Sequence, residues 1–309
     1  MSIYNYYLNQ LKTNKNPDFI YKYLSLPSIE RLKYIGYFCG MDYASNDIYP
    51  FSEYISRYDH SLTTALLTWK LTNDKNTTLA ALFHDVATPC FSHVIDYLEG
   101  DFKTQETTEN NTSKILLEDK LLNNYLKEDK IPIEDLINFK NFSIVDLPRP
   151  MLCADRIDGI ILSSSIWTKT LKKEEIKQII ENLSVYKNEN NQDEIGLKSK
   201  KYAEDLVFLE DTINNFCHSK EDSFMMLLLS EIVRSALNSE IITYNDLYQK
   251  KEYELLTILK SSNNKEILDN IEIFENITKN EIPDIEIPPI KVRKIKPIAN
   301  GIRIKTSQN

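Results

Sequence analysis

Three of the four histidines in this 309-residue sequence lie in two short segments that also carry acidic side chains. The first segment, RYDHSLTTALL, places Arg57 and His60 three residues apart, so both lie on one face if the segment is helical. The second, ALFHDVATPCFSHVIDYL, contains the adjacent pair His84 and Asp85. Imidazole nitrogens and carboxylate oxygens together suit Zn, Fe, Mn or Ni and leave coordination positions open for water. The pattern therefore indicates a metal site that can bind water.

A fourth ligand is expected from a distant helix. The segment MLCADRIDGIIL supplies Asp155 and Asp158 in an otherwise apolar stretch, where an unpaired carboxylate would be costly. Each residue alone has an ordinary explanation, since a lone histidine such as His60 is more often structural and an aspartate can pair with a nearby arginine. The ordered set His60, His84-Asp85 and Asp155, expected on helices throughout, is what makes the prediction specific.

Composition is typical of a soluble globular protein, with 42% hydrophobic and 27% charged residues. The six glycines are too few for a β-rich fold with many tight turns, and the net charge of −9 argues against nucleic acid as the main substrate. Four widely spaced cysteines without a Cys-x-x-Cys pair indicate reduced thiols. The N-terminus lacks a signal-peptide stretch, and no apolar run approaches the ~18 residues of a membrane span. The expected location is the cytoplasm, without membrane contact.

Apolar residues near a 3.6-residue period predict helix over most of the chain, and hence an all-α fold. The segment PSIERLKYIGYF is expected to be a helix capped by Ser28, and SEYISRYDHSLTTALLTWKL to be one continuous helix. TTLAALFHDVA reads as a buried helix that stops near Pro89. The polar stretch Tyr186–Gly196 lacks periodicity and predicts a surface loop.

The last segment differs from the rest because it alternates apolar and polar residues around Asn300-Gly301. That dipeptide is the strongest short-range signal for a β-hairpin. One interpretation of the tail is a solvated edge hairpin whose lysines discourage pairing with other strands. The other is a contact for an anionic ligand or a partner subunit. Its basic residues, with no acid among them, are Lys291, Arg293, Lys294, Lys296, Arg303 and Lys305.

The order H…HD…D in a helical chain resembles the HD superfamily of metal-dependent phosphohydrolases. The RL-x-x-I, Tyr-Pro and R-x-x-HSL elements, and the segment HDVATPCFSH, are similar to the dNTP triphosphohydrolase branch. TTENNTSKIL keeps Thr107 and Glu109 of that branch's THE-type element, and ITYNDLYQKKEYELLTIL looks like its later helical hairpin. The similarity runs from about residue 28 to residue 260.

The resemblance implies an HD-domain helical bundle with additional C-terminal helices and a small terminal β-hairpin. The corresponding division is an N-terminal helical extension over residues 1–27, an HD core over 28–170, a C-terminal helical region over 171–285 and a basic tail over 286–309.

The resemblance also implies roles for individual residues. One divalent ion (Mn, Fe, Ni, Zn, Co or Mg) would be held by His60, His84, Asp85 and Asp155, where it would polarise a phosphoryl oxygen and activate water. Arg57 would clamp a phosphate oxygen.

The remaining catalytic candidates are His93, Asp96 and Glu109. His93 would contact phosphate or assist proton transfer, with Asp96 orienting a partner. The alternative for His93 is an interior histidine bonded to the backbone.

Three positions depart from the resembled branch. Thr88 and Thr108 stand where it has histidines, and Tyr37 stands where it has the glutamine that contacts the sugar. A threonine hydroxyl cannot act as a general acid near pH 7. These changes predict weak or absent release of triphosphate from ordinary dNTPs.

The expected function is a metal-dependent phosphohydrolase acting on a nucleotide or another phosphorylated small molecule. The alternative is a catalytically degenerate HD protein that binds nucleotide or metal and regulates a partner. A signalling phosphodiesterase is disfavoured, because Asp85 is not followed by the Glu-Asp of alarmone hydrolases. The sequence leaves open whether the chain forms a homo-oligomer.

Overall fold

The computed structural model describes residues 1–105, 107–109 and 111–305, without the side chain of Thr108. These residues are 58% helical, with sixteen α-helices and one small sheet of four strands, so the expected mostly-α fold is confirmed. The first eight helices are α1 (Ile3–Leu11), α2 (Ile20–Leu24), α3 (Pro27–Glu30), α4 (Arg57–Thr72), α5 (Lys75–Phe83), α6 (Val94–Glu99), α7 (Thr112–Glu118) and α8 (Lys120–Asp129). The others are α9 (Ile133–Ile137), α10 (Ala154–Leu162), α11 (Lys173–Asn182), α12 (Lys200–Cys217), α13 (Lys220–Asn238), α14 (Tyr244–Gln249), α15 (Glu252–Lys260) and α16 (Lys265–Asn276).

Helix α4 is central, because it packs against both α5 and α10. It begins at Arg57, where the Ser56 hydroxyl accepts the Asp59 backbone N–H and the Asp59 carboxylate accepts the Ser56 backbone N–H. This reciprocal cap fixes the start of a helix. The predicted continuous helix from Ser52 is therefore wrong over its first turn.

The segment before α4 is also less helical than predicted. Pro27 occupies the first position of α3, so Leu26 rather than Ser28 is the capping residue. The helix tightens to a 3₁₀ turn over Arg31–Tyr34 and ends at Ile35. Gly36 then pairs with Ser56 in an isolated β-bridge, which brings the next residues alongside the start of α4.

Helix α5 is almost entirely buried and ends at Phe83, one residue before the His84-Asp85 pair. The prediction that this pair lies on a helix is wrong. The chain instead makes two tight turns, in which Val86 donates to the Phe83 carbonyl and Thr88 to the Asp85 carbonyl. Pro89 follows these turns and disfavours helical backbone at Thr88, so the helix does not resume there.

The sheet joins two hairpins. Strands β1 (Leu183–Lys187) and β2 (Asp193–Leu197) pair antiparallel, and β3 (Ile298–Ala299) lies parallel to β2 and antiparallel to β4 (Ile302–Arg303). The predicted terminal hairpin is present, and both turn residues, Asn300 and Gly301, have positive φ as a tight hairpin requires.

The predicted surface loop Tyr186–Gly196 is wrong, since most of it forms the β1–β2 hairpin. Its inner strand is buried from Glu194 to Leu197. The Glu194 carboxylate is fully buried and accepts two hydrogen bonds from Arg303, at 2.9 and 2.8 Å. A polar residue of the hairpin is thus compensated by a cation from the tail, a pairing that local composition does not reveal.

Among the described residues, every helix falls short of the length and apolar character that a bilayer-spanning segment needs.

Candidate metal centre

Three of the four predicted ligands converge on one point. His60 lies on α4, His84 follows α5 and Asp155 is in the first turn of α10, so the packing of these helices brings them together. Their ligand atoms all lie within 4.8 Å of one another. The shortest approaches to Asp155 Oδ1 are 3.1 Å from His60 Nε2 and 3.6 Å from His84 Nε2.

His84 has the arrangement of a metal-binding imidazole. Its Nδ1 lies 2.7 Å from the Ala81 carbonyl oxygen and donates to it, which leaves a lone pair on Nε2. Nε2 is buried and has no hydrogen-bond partner among the described residues. A buried polar atom without a partner is uncommon, and an imidazole that donates its other nitrogen to a carbonyl is the usual state of a metal-bound histidine.

His60 is held by a network that reaches the N-terminal helix. Its Nδ1 lies 2.7 Å from Asp158 Oδ2, and the Tyr7 hydroxyl donates to Asp158 Oδ1 at 2.6 Å. Asp158 is fully buried, and these two contacts provide each of its oxygens with a hydrogen-bond partner. This contact fixes the ring with Nε2 towards Asp155, as carboxylates do for metal-bound histidines. Sequence reasoning singled out Asp158 without giving it a role, and it missed Tyr7, which nothing near the ligand motif indicates.

Asp85 borders this cluster and also pairs with Arg57. One oxygen accepts from Arg57 Nη1 at 2.8 Å, and the carboxylate lies 3.8 Å from His60 Nε2 and 3.9 Å from His84 Nε2. Burial raises the pKa of Asp85, but the charges of His84 and Arg57 outweigh it and hold the pKa below its usual range. The carboxylate is therefore anionic and within reach of an ion bound at the cluster.

Arg57 is fixed on three sides. Besides Asp85, it donates from Nε to the Ser92 hydroxyl at 3.1 Å, and its guanidinium lies 5.0 Å from the centre of the Tyr37 ring. Only 6% of the residue is exposed. The guanidinium is thus held rigidly beside the ligands.

A proton and a metal ion compete for His60. Burial lowers the pKa of this histidine, but hydrogen bonds to Asp155 and Asp158 outweigh it and raise the pKa to about 10. The pKa of Asp155 is correspondingly held well below its usual range by His60 and His84, despite burial. Because a metal ligand must be deprotonated, metal loading has to expel this proton.

His93 and Asp96 form a second pair. His93 Nδ1 lies 2.8 Å from Asp96 Oδ2, and Asp96 is fully buried and also accepts the Thr107 backbone N–H at 3.1 Å. His93 is therefore bonded to a carboxylate rather than to the backbone, and Nε2 is the ring nitrogen left for a ligand. Glu109, the remaining catalytic candidate, lies 2.9 Å from Lys140.

The positions that depart from the resembled branch differ in placement. Tyr37 lines the cavity, and its ring centre is 4.9 Å from that of His60. Thr88 is buried outside the cavity lining, and its carbonyl oxygen accepts from Arg31 at 2.5 Å. The side chain of Thr108 lies outside the described residues.

A cavity of about 300 Å³ opens beside the ligand cluster, at the lower end of the range for small-molecule sites. All four predicted ligands line it, together with Arg57, His93 and Glu109. Part of its wall is aromatic, with Phe38 and Phe51 stacked at 4.3 Å and Trp167 beside them. Sequence reasoning did not place three of its basic lining residues at the site: Lys140, Arg149 and Arg156.

Comparisons with known proteins agree with this geometry. Residues 57–161 match the family described as "HD domain". The "Uncharacterized protein YdhJ" of Bacillus subtilis is 26% identical over 218 residues, covering 69% of this chain and 64% of that protein. The "Metal-dependent phosphohydrolase cns2" of Cordyceps militaris is 23% identical over 261 residues, covering 79% of this chain and 70% of that protein. The chain thus spans roughly two thirds of the length of these two relatives.

The HD domain and the phosphohydrolase relative imply a divalent metal ion, and the residues present fit one. Two imidazoles with Nε2 turned inward, one of them without another partner among the described residues, and two anionic carboxylates form a suitable donor set. Residues 57–161 thus match the HD domain in sequence, and the side chains that they bring together suit a divalent ion.

Proposed function

We propose that the protein hydrolyses a phosphate ester or anhydride of a nucleotide or related small molecule, with one divalent ion held by His60, His84, Asp85 and Asp155. The observation that carries this proposal is the unpartnered, buried Nε2 of His84, which faces His60 and Asp155 at the wall of a cavity rich in arginine. A bound divalent ion supplies Lewis-acid polarisation of a phosphoryl oxygen and lowers the pKa of a water ligand.

Arg57 binds and orients the phosphoryl group. Its Nε and Nη1 are occupied by Ser92 and Asp85, so the guanidinium cannot turn away from the cavity that it lines. A guanidinium held in this way meets phosphate oxygens without a further loss of rotational freedom.

His93 moves the proton to the leaving group. Asp96 accepts the Nδ1–H and fixes the orientation of the ring, so that Nε2 is the nitrogen from which the proton is transferred. General acid catalysis of this kind typically contributes about 10²–10⁴ in rate. His93 therefore takes the task that a histidine at position 108 would have in the resembled branch. A substrate other than an ordinary dNTP is supported by Tyr37, which lines the cavity and stands where that branch has the glutamine that contacts the sugar.

The test combines metal analysis with a substrate panel. Wild type and His84→Ala are purified, their metal content is measured by mass spectrometry, and nucleotides and other phosphate esters are assayed with Mn²⁺, Mg²⁺, Co²⁺ and Ni²⁺. We expect one ion per chain and hydrolysis for wild type, and loss of both in the variant. His218→Ala is the matched control, because His218 bonds to the Asn214 carbonyl at the end of α12, outside the cavity. Metal binding without hydrolysis of any compound would favour the regulatory alternative.

A further inference from the structure

The C-terminal strap, residues 286–296, lies between α16 and β3 without regular secondary structure and contributes Ile290, Lys291 and Arg293 to the cavity lining. It is fastened to residues 57–161 at two points, since the Lys291 N–H donates to the Phe102 carbonyl at 2.9 Å and the Lys296 N–H donates to the Pro150 carbonyl at 2.8 Å. Ile290 and Ile295 are buried. The strap is thus a fixed part of the cavity wall.

Alternate residues of the strap face inward. Lys291 and Arg293 line the cavity, whereas Val292 and Lys294 are exposed. The Arg293 N–H donates to Asn214 Oδ1 on α12 at 2.7 Å, so this position is tied to the C-terminal helices as well as to the HD domain. The alternation of side chains along the strap therefore places two of its cations, Lys291 and Arg293, at the cavity.

The guanidinium of Arg293 contacts neutral acceptors. It donates to Gln105 Oε1 at 2.9 Å and to the Lys291 carbonyl at 3.3 Å. Within the described part of the chain, no carboxylate lies within 4.0 Å of it. Glu210 and Asp222, which line the same cavity, are engaged by Arg149 and by the Tyr49 hydroxyl. A partly buried cation without an ion pair is costly unless an anion binds beside it.

Arg57 and Arg293 line the same cavity but belong to different sets of contacts. Arg57 is bonded to the metal-ligand candidate Asp85. Arg293 is bonded to Gln105 and Asn214, neither of which is a candidate ligand. We call the part of the cavity lined by the candidate ligands and Arg57 the metal end, and the part lined by Arg293 the strap end. A ligand that filled the cavity would meet both arginines.

We propose that Arg293 is a specificity-determining residue that binds a second anionic group of the substrate, a phosphoryl or carboxylate group away from the bond that is hydrolysed. This inference rests on the proposed function, and it adds a substrate class, phosphorylated small molecules with two separated anionic groups. It also places part of the specificity outside the HD domain, since Arg293 follows residue 161.

The test uses two sugar phosphates that differ by one phosphoryl group, fructose 6-phosphate and fructose 1,6-bisphosphate. Binding to the metal-loaded full chain is measured by isothermal titration calorimetry for wild type, Arg293→Gln, Arg293→Lys and the control Lys294→Gln, an exposed strap residue. We expect wild type and Lys294→Gln to bind the bisphosphate at least about tenfold more tightly than the monophosphate. Arg293→Gln should remove that preference, and Arg293→Lys should keep part of it.

Metal content and thermal unfolding are measured for each variant, so that a folding defect in Arg293→Gln is recognised. If that variant does not fold, the bisphosphate preference of Arg293→Lys tests the inference in its place. Equal binding of both sugars by wild type, or an unchanged preference in the arginine variants, would overturn the inference. An equal loss for both sugars would also overturn it, because Arg293 would then contact the reacting phosphoryl group. If the bisphosphate preference depends on Arg293 but no phosphorylated compound is hydrolysed, the inference stands and the proposed function fails.

Discussion

The two ends of the cavity are built in different ways. At the metal end, His60, His84 and Asp155 come from one contiguous domain, and each is in close contact with another charged or polar group of that domain. At the strap end, Arg149 and Arg293 lie far apart in the sequence, and among the described residues the guanidinium of Arg293 bonds to neutral groups alone. The first end is organised around a cation, and the second presents cationic groups to a ligand.

The pKa values of the carboxyl groups Asp85 and Asp222, one at each end, are shifted in opposite directions. At the metal end, His84 and Arg57 hold the pKa of Asp85 below its usual range despite burial. At the strap end, burial raises the pKa of Asp222 to about 6, although the Tyr49 hydroxyl and Arg293 oppose it. Asp85 is thus stabilised as an anion beside the expected ion, and Asp222 is destabilised as an anion beside Arg293.

The largest expected effect is the loss of the metal end in Asp85→Ala. Removing this carboxylate takes away an anionic ligand and leaves Arg57, which is almost fully buried, without its ion pair. We expect metal content to fall to background and hydrolysis to drop on the order of a thousandfold or more, because the ion supplies several kcal/mol of transition-state stabilisation. Circular dichroism should show a retained helical fold. Unchanged metal stoichiometry would remove Asp85 from the ligand set.

Arg57→Ala should separate phosphate binding from metal binding. Because the guanidinium touches Asp85 rather than the histidines, the ion should stay, while kcat/KM falls about ten- to a hundredfold through the lost charge-assisted contacts. The measurements are metal content and steady-state kinetics on one preparation. Arg234→Ala, which changes a surface arginine that pairs with Glu231 on its own helix, is the control. Parallel loss of metal and activity would mean that Arg57 supports the ligands.

The sequence indicated candidate residues for the metal end more specifically than for the strap end. His60, His84, Asp85 and Asp155 could be singled out because ligand chemistry restricts the residue types and their order along the chain. The expectation that His84 and Asp85 lie on a helix failed because the chain turns tightly after Phe83, which the apolar pattern of this segment does not reveal.

The strap end could not be predicted in the same way. The sequence shows a basic tail, and contact with an anionic ligand was one of its two interpretations. The neighbouring sequence does not distinguish Arg293, which lines the cavity, from Arg303, which pairs with the buried Glu194. Both assignments depend on where the chain passes in space. The same holds for Tyr7, whose contact with Asp158 joins the N-terminal helix to the metal end.

Tyr7→Phe should weaken the metal end without removing it. The lost hydroxyl leaves one oxygen of the fully buried Asp158 without its donor and loosens the orientation of His60. Loss of such an outer contact typically lowers metal affinity by 10- to 100-fold, and we expect about tenfold here. Competition with a chelator measures it. Tyr6→Phe, a neighbouring tyrosine on the same helix, should bind metal like wild type, and equal affinities for all three proteins would contradict the network.

The effect confined to folding stability concerns pH and the strap end. Because the folded-state pKa of Asp222 is about 6 and its ordinary value is 3.8, the folded protein binds this proton more tightly than the unfolded chain. The stabilising contribution of the protonated carboxyl is therefore complete below about pH 3.8 and is lost as pH rises to about 6, by at most about 3 kcal/mol. Asp222→Asn should not lose this stabilisation as pH rises, and its amide oxygen can still accept from the Tyr49 hydroxyl.

Urea unfolding between pH 4 and pH 8 should show the variant gaining stability relative to wild type up to about pH 6 and a constant difference above it. Asp211→Asn, an exposed change on α12, provides the control. A difference between Asp222→Asn and wild type that did not change with pH, or that shrank as pH rose, would show that the strap end does not disfavour its carboxylate, and the electrostatic contrast between the two ends would be wrong.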